Sequence, residues 1–546
     1  MEYNLADIFE LAVDNYPDRE YLVVDGKRLS YSEMDKRANQ LAHALSKRGI
    51  GKGDHVGIYA LNCIEWVETL WAVFKLRAVW ININYRYVED ELSYIFANAN
   101  LKALIVQRSF LPRLNRIPEA LQELHHILFV EDGSDATPSL SAVNIESYEA
   151  SLKGESSDRD FEKRSGDDIY MLFTGGSTGM PKAVVWRHAD VFFALGGGID
   201  QSTGEVCHHP QQVIDRGAAF QMTMLPAAPL MHGASQWAVM GGAFEGRRII
   251  LQSQFNAQQI WQAVQQENIN CLFITGDAMA QPLIDALEGP SSKTDISSLF
   301  VVASSAVVFS SRLKEAFLQK LPNLILIDSI GSSETGGTGM LMAQKGQTQM
   351  KGGPTVKPGH GSVILDMKTL EPLPAGSDQI GMLARSGFIP LGYYNDAEKT
   401  AATFVTTKDG TRYALSGDHA LHEADGSITM LGRGSGCINS GGEKIFPEEV
   451  ESAVKSHADV YDVIVVGIDD QRWGSKVCAV VQFCQTAQTS LLELQEHCRS
   501  MIAGYKIPRA LVAVQHIERA PSGKPDYRWA KSVADNHFAD QNLDES

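Results

Sequence analysis

Residues 169–182 read IYMLFTGGSTGMPK. The first five form an apolar run of the kind that makes a buried strand. The next nine, 174–182, carry glycines at 175, 176 and 179, hydroxyls at Thr174, Ser177 and Thr178, and a cation at Lys182. Glycines let backbone amides turn inward toward anionic oxygens, hydroxyls add donors and lysine adds a point charge, so the stretch suits a phosphate cradle. It lacks the Gly-Lys-Ser/Thr ending of a Walker loop, and it is no dinucleotide fingerprint. A plain surface turn is the competing reading; the strand feeding straight into the loop favours the cradle.

Working outward, similar short apolar runs recur at 55–60, 103–107, 127–130, 248–251, 271–275, 299–303 and 324–328. Few show clean alternation, as expected of strands covered on both faces. Amphipathic helical stretches lie between several of them, at 257–267 and 311–321. Ser32 stands ahead of Met34, Ala38, Leu41, Ala42 and Leu45, a spacing that predicts a helix with Ser32 as its cap. This alternation predicts an α/β fold: a large N-terminal domain of largely parallel sheets packed with helices. From about residue 360 the texture changes. GGPTVKPGHG at 352–361 and PLPAG at 372–376 predict an antiparallel β subdomain. Past LGRGSG at 431–436 come helix signals at 447–454 and 491–502 and strand signals at 463–467 and 476–483, enough for a small α+β C-terminal domain. The polar end after Ser532 is expected to fray.

The chain has 546 residues and a mass of 59.8 kDa, room for three or four units at about 150 residues each. With 44% hydrophobic and 21% charged residues it is not a disordered chain. Its net charge of −18 argues against a phosphate-coating nucleic-acid binder, so an anionic substrate needs a local cluster of cations or amide donors. Seven cysteines, at 63, 207, 271, 437, 478, 484 and 498, include no C-x-x-C pair, which points to reduced thiols. The N-terminus carries acids where a signal peptide carries bases, and no apolar run approaches the ~20 residues of a membrane span. A cytoplasmic protein without an integral membrane segment is expected, and a homodimer stays open.

Further motifs follow in order. DSIGSSETG occupies 328–336, YALSGDHA 413–420, LGRGSGCINSGGEKIFPEEVE 431–451 and PSGKPDYR 521–528. Each has a bland alternative: a helix start at 332–334, a turn aspartate at 418, a glycine-rich linker at 434–442 and a solvated lysine at 524. Together, and in this order, they make the chain resemble the adenylate-forming superfamily of acyl-CoA synthetases, luciferases and peptide-synthetase adenylation domains.

The resemblance implies ATP, Mg²⁺ and coenzyme A. It assigns Thr174, Gly175, Gly176, Ser177, Thr178, Gly179 and Lys182 to the β- and γ-phosphates. Ser304, Asp328, Ser329 and Ile330 fall along the nucleotide, with Ser333 at the α-phosphate and Glu334 as metal ligand. Asp418 accepts from the ribose hydroxyls and Arg433 lies near the ribose. A hinge at 433–436, centred on Ser435, would separate an ATP- and acyl-binding domain, 1–432, from a mobile domain, 437–546. Ser440, Gly441, Gly442 and Lys444 would meet the pantetheine of CoA. Lys524 would be catalytic, with Glu334 and Thr174. The chain departs from the family at Ala183 (commonly Gly), Ile330 (commonly aromatic), Ser435 (commonly Asp or Lys) and Asn439 (commonly Lys).

The segments 226–237 and 273–283 resemble the walls of the acyl channel, which assigns His232, Gly233, Trp237, Gly276 and Ala278 to the acyl pocket. GDAMAQPLIDAL, DSIGSSETG and GKPDYRWAK are most similar to the ligases of steroid side-chain carboxylates, the cholestenoate type. The implied reaction is ATP-dependent conversion of a hydrophobic carboxylic acid to its CoA thioester. A medium- or long-chain fatty acid is the alternative substrate. Rival functions are a luciferase- or peptide-synthetase-like adenylating enzyme and a catalytically inactive nucleotide-binding regulator.

Overall fold

A computed structural model of the chain describes residues 2–544, apart from 137–142, 176–179, 201–202, 308, 347–354, 434–435, 441–442, 471–473, 485–488, 500 and 520–522. The short apolar runs become strands of two large sheets. In the first, Arg248–Leu251, Thr223–Pro226, Cys271–Ile274, Val301–Ser305 and Ile325–Ser332 lie side by side and parallel. Pairing turns antiparallel at Gly336–Ala343 and continues through Thr355–Pro358 into Ile428–Arg433, Arg412–His422, Ser377–Ser386 and Ser362–Leu365. The change of texture in the sequence is this change from parallel to antiparallel pairing.

The second sheet runs in the order Gly392–Tyr393, Lys182–Arg187, Ile169–Thr174, Val79–Asn82, His55–Tyr59, Leu101–Gln107, His126–Val130 and Asn144–Ser147. It is parallel from Ile169–Thr174 onward. Helices Leu5–Asn15, Tyr31–Lys47, Ile64–Lys75 and Gly233–Phe244 pack together against the sheets. Their apolar stripes meet in an aromatic core where the Phe9 and Trp71 rings stack at 4.1 Å and Trp66, Trp80 and Trp186 are buried. Such rings bury large areas, and offset stacking adds about 0.5–1.5 kcal/mol per pair beyond burial.

One charge sits inside this helical layer. Lys75 is fully buried and its ammonium donates to Glu10 at 2.5 Å and Asp35 at 2.7 Å, which ties three helices together. Arg159 adds a second cation on Asp35 at 2.8 Å. The group is tolerable in the core because each charge has an opposite partner.

The small C-terminal domain has the antiparallel pair Val460–Asp470 and Gly474–Phe483, with Ala510–Val514 parallel to the latter. Helices Pro447–Lys455, Leu491–Arg499 and Tyr527–Asp544 accompany it. The predicted α/β class with a β subdomain and an α+β C-terminal domain is therefore present. Two expectations need correction. The cap of helix Tyr31–Lys47 is Ser30, which accepts from the Glu33 N–H while Glu33 reaches back to the Ser30 N–H. This reciprocal capping box outcompetes Ser32, which lies inside the first turn. Residues 533–544, expected to fray, belong to helix Tyr527–Asp544, whose Ala530 and Ala534 pack on the three-stranded sheet. No helix among the described residues is long and apolar enough to cross a membrane.

Substituting Lys75→Met leaves Glu10 and Asp35 short of their shared cation. A loss of about 3–5 kcal/mol is expected, read as a shifted urea-unfolding midpoint.

Candidate active site

The strand Ile169–Thr174 returns as Lys182–Arg187 in an antiparallel pair, with Thr174 directly opposite Lys182. The glycine-rich stretch is thus the tip of a hairpin with one hydroxyl and one ammonium at its mouth. Gly176, Ser177, Thr178 and Gly179 lie outside the described residues. The hairpin is fixed from below by Asn82. Its side-chain oxygen accepts from the Phe173 N–H at 2.8 Å, and its amide donates to the carbonyls of Phe173 at 2.9 Å and Met231 at 2.7 Å. Asn82 is 3% exposed, so these bonds are protected from water.

Glu334 sits in the turn between strands Ile325–Ser332 and Gly336–Ala343. The turn is a strand connection stitched by Ser332 and Thr335, which excludes the helix-start alternative. Gly336 takes φ of 66°, and a Cβ there would lie 2.7 Å from Nη1 of Arg385. That arginine, 2% exposed, donates to the Thr335 carbonyl at 2.8 Å and holds the turn in place. Two residues join this turn to the hairpin. Trp186 Nε1 donates to the Ser333 carbonyl at 3.1 Å, and the Tyr393 hydroxyl donates to Glu334 Oε1 at 2.8 Å. Lys182 pairs with Asp396 at 2.7 Å. Asp396 also caps helix Ala397–Thr403 through the Lys399 N–H, and the two donors hold its carboxyl below the usual range.

Of the remaining motif residues, Ser304, Asp328 and Ser329 lie toward the C-terminal ends of the parallel strands, where α/β sheets bind ligands. Register places Ile274 beside Ser304 and Ser304 beside Asp328. Ser304 Oγ accepts from the Gly276 N–H at 3.0 Å. Ser305 and Ser329 are partners in register, and Ile330 packs half-buried at the edge of the β subdomain. The Asp328 carboxylate pairs with buried Lys314 at 2.8 Å; burial is the largest influence on it and raises its pKa. Asp418 lies inside strand Arg412–His422, opposite Arg433 in register, rather than in a free turn. Ser440 is buried in the two-stranded ribbon of Ile438–Ser440 and Glu443–Ile445. Ser435, Gly441 and Gly442 lie outside the described residues, as do the side chains of Arg433 and Lys444.

Helix Gly233–Phe244 starts after His232, and a Cβ on Gly233 would approach Leu172 to 2.7 Å. Any larger residue would push the Leu172 and Trp237 side chains aside. The half-buried Trp237 belongs to the same helix and packs against the core. Ala278 lies in helix Gly276–Glu288, and a Cβ on Gly523 would fall 2.8 Å from the Ala278 Cβ. The turn that carries Lys524 is therefore seated on the wall of the acyl segment. Burial drives the His232 imidazole down to about 4, and the cations of Lys524 and Arg86 push the same way. Its buried Nε2 has no hydrogen-bond partner among the described residues. A cavity of about 820 Å³ opens here, lined by Tyr85, Arg86, Phe255, Thr275, Arg519 and Gly523 among others.

The carboxylate of Glu334, the Thr174 hydroxyl and the ammonium groups of Lys182 and Lys524 fit a magnesium-bound triphosphate, because the metal takes hard oxygen ligands and the phosphates take cations. Asn82, Trp186, Arg385, Tyr393 and Asp396 escape motif reading. Asn82 alone had a local signal, as a polar residue ending the apolar run 79–82.

The family model described as AMP-binding enzyme matches residues 9–394, and that of the AMP-binding enzyme C-terminal domain matches 449–524. The chain is 48% identical over 546 residues to a 3-oxocholest-4-en-26-oate–CoA ligase of Rhodococcus rhodochrous, covering 99% of this chain and 98% of that protein. It is 47% identical over 545 residues to a medium/long-chain-fatty-acid–CoA/3-oxocholest-4-en-26-oate–CoA ligase of Mycolicibacterium smegmatis, covering 99% and 98%. The anthranilate CoA ligase AuaEII in complex with anthranoyl-AMP superposes with a TM-score of 0.83 at 22% identity, covering 99% of this chain and 98% of that one. ATP-bound MatB from Rhodopseudomonas palustris gives 0.81 at 21%, covering 98% and 99%. At these identities the two structures speak for the fold.

The His232 ring is expected to stay neutral from about pH 8 to pH 5 in a histidine NMR titration. Its lowered pKa contributes stability that is present above 6.5 and is lost as pH falls through about 4. A midpoint near 6.5 contradicts the buried placement.

Proposed function

The chain belongs to the AMP-binding enzyme family, and from that premise we propose that it is the CoA ligase of a steroid side-chain carboxylate. It is an ATP-dependent, acyl-adenylate-forming ligase of a hydrophobic carboxylic acid. The observation that carries the steroid reading is the 48% identity, along 99% of the chain, to a ligase named for 3-oxocholest-4-en-26-oate. The cavity supports a hydrophobic acid, because Leu61, Phe110, Phe255, Ala278 and Met279 line it with apolar surface. A medium- or long-chain fatty acid is the second reading, supported by the relative named for both substrates.

In the proposed first step a carboxylate oxygen of the acid attacks the α-phosphorus of ATP, and the bond to the β-phosphate oxygen breaks to release pyrophosphate. Thr174 and Lys182 at the hairpin mouth hold the phosphate tail, and Asp418 accepts from the ribose hydroxyls. Lys182 exchanges Asp396 for phosphate as the nucleotide arrives. Lys524 brings its charge to where substrate carboxylate and α-phosphate meet, so attraction between them replaces repulsion. Glu334 would hold magnesium, which would supply further positive charge to the triphosphate. His232, pushed down to about 4 by burial, would add no charge here at neutral pH.

In the second step the small domain, 437–546, turns about Ser435, Lys524 withdraws and the 440–444 ribbon approaches. The CoA thiol then attacks the acyl carbonyl and AMP leaves. Arg86 on the large-domain wall of the cavity offers a cation to a polyanionic co-substrate. A cytoplasmic setting agrees with seven cysteines that form no disulfide among the described residues.

Lys524→Ala is expected to slow pyrophosphate release by about 100-fold or more while thioester formation from supplied acyl-adenylate continues. Equal loss in both half-reactions contradicts its role. A panel of short to long fatty acids and steroid acids, scored by pyrophosphate release, decides the substrate. Preference for a linear acid over a steroid acid overturns the steroid reading.

A further inference from the structure

Helix Gly276–Glu288 does more than wall the acyl segment. In its first turn Asp277, 5% exposed, accepts the Ser310 N–H on one oxygen at 2.8 Å. Its other oxygen faces Lys455 of the small domain at 3.0 Å. Lys455, 8% exposed, ends helix Pro447–Lys455 and donates to Asp462 at 2.7 Å. Asp462 receives Arg519 in a two-point pair, at 2.6 Å and 2.7 Å. The third arm of Arg519 donates to the carbonyl of Gly523 at 3.1 Å. That carbonyl belongs to the residue before Lys524. Three buried charges, Asp277, Lys455 and Asp462, and the half-buried Arg519 thus run from a large-domain helix to the backbone that presents the reactive cation.

We infer that Asp277, through Lys455, Asp462 and Arg519, is the positioning residue that seats the Lys524 turn for adenylate formation. The inference rests on the role given above to Lys524.

Charge balance supports a latch rather than a permanent weld. Within the run two cations, Lys455 and Arg519, face two anions, Asp277 and Asp462. Burial and the neighbouring Glu448 push Glu451, beside the cluster, up to about 8. Within this run of four charges, the Asp277–Lys455 contact is the one that crosses from one domain to the other. Removing one partner while the domains are closed leaves a buried, unmatched charge, which strongly disfavours the closed arrangement. Turning the small domain away instead exposes both ends to water, which solvates each. The pair therefore enforces the register of the closed state without blocking its release. Tyr461 adds a second crossing contact, donating to Asp285 of the same helix at 3.4 Å. At the far end the two-point geometry of Arg519 fixes direction as well as distance.

The test compares Asp277→Asn, Lys455→Met and the double variant in the two half-reactions, together with hydrogen exchange of the whole protein. Both single variants are expected to slow pyrophosphate release by about 10- to 100-fold, the scale of a misplaced reacting group. Thioester formation from supplied acyl-adenylate and CoA should stay within about twofold, and the double variant should be no slower than either single one. Exchange should rise in peptides spanning 276–280 and 523–527, with the melting temperature nearly unchanged. Unchanged pyrophosphate release overturns the inference, as does a parallel fall in both half-reactions without altered exchange. Should Asp277→Asn fold poorly, Lys455→Met reads the same contact from the other side. If the unmodified protein releases no pyrophosphate from any acid, the adenylating reading of Lys524 fails. The exchange comparison still reports whether Asp277 seats its turn.

Discussion

The site depends on one buried side chain amide. Asn82 ends a strand of the second sheet and bonds to both polar groups of Phe173 and to the Met231 carbonyl. The first two contacts set the height of the glycine-rich hairpin, and the third sets the segment that delivers His232. Tyr170 adds a second link between the two ends, donating to Gln236, whose amide donates to the Leu230 carbonyl. A buried amide with its hydrogen bonds made is directional in a way that apolar packing is not, and an unmade one is costly.

The cations of the site are presented in matched pairs: Lys182 with Asp396, Lys314 with Asp328, and Lys455 with Asp277. In a chain of net charge −18 this arrangement has a physical logic. An ammonium kept near a carboxylate is held in place before any anion arrives, and an incoming polyphosphate competes for it locally. The exposed pair, Lys182–Asp396, can exchange partners. The buried pairs, Lys314–Asp328 and Lys455–Asp277, instead hold elements together.

Much of this was legible from residue patterns. The parallel strands appear as short apolar runs because both faces are covered, and the hairpin appears because glycines and hydroxyls follow one of them. Adjacent serines defeated the capping assignment, since Ser30 and Ser32 are equally good caps until the side chain of Glu33 chooses between them. The C-terminal helix was hidden by its polar surface, because two alanines, Ala530 and Ala534, carry its fully buried contact. Asp277, Asp396 and Arg385 were invisible for a different reason. Their partners lie far along the chain, and nothing local distinguishes a carboxylate that will meet a lysine from one that will meet water.

The cavity beside His232 has walls owned by two bodies, Tyr85, Arg86 and Thr275 on one and Arg519 and Gly523 on the other. Such a chamber has no existence apart from one mutual orientation of its owners. Any molecule lodged there braces them in that pose, and any swing of the smaller body abolishes the room. Occupancy and motion are therefore alternatives in time, which makes the order of arrivals and departures a property of the architecture itself.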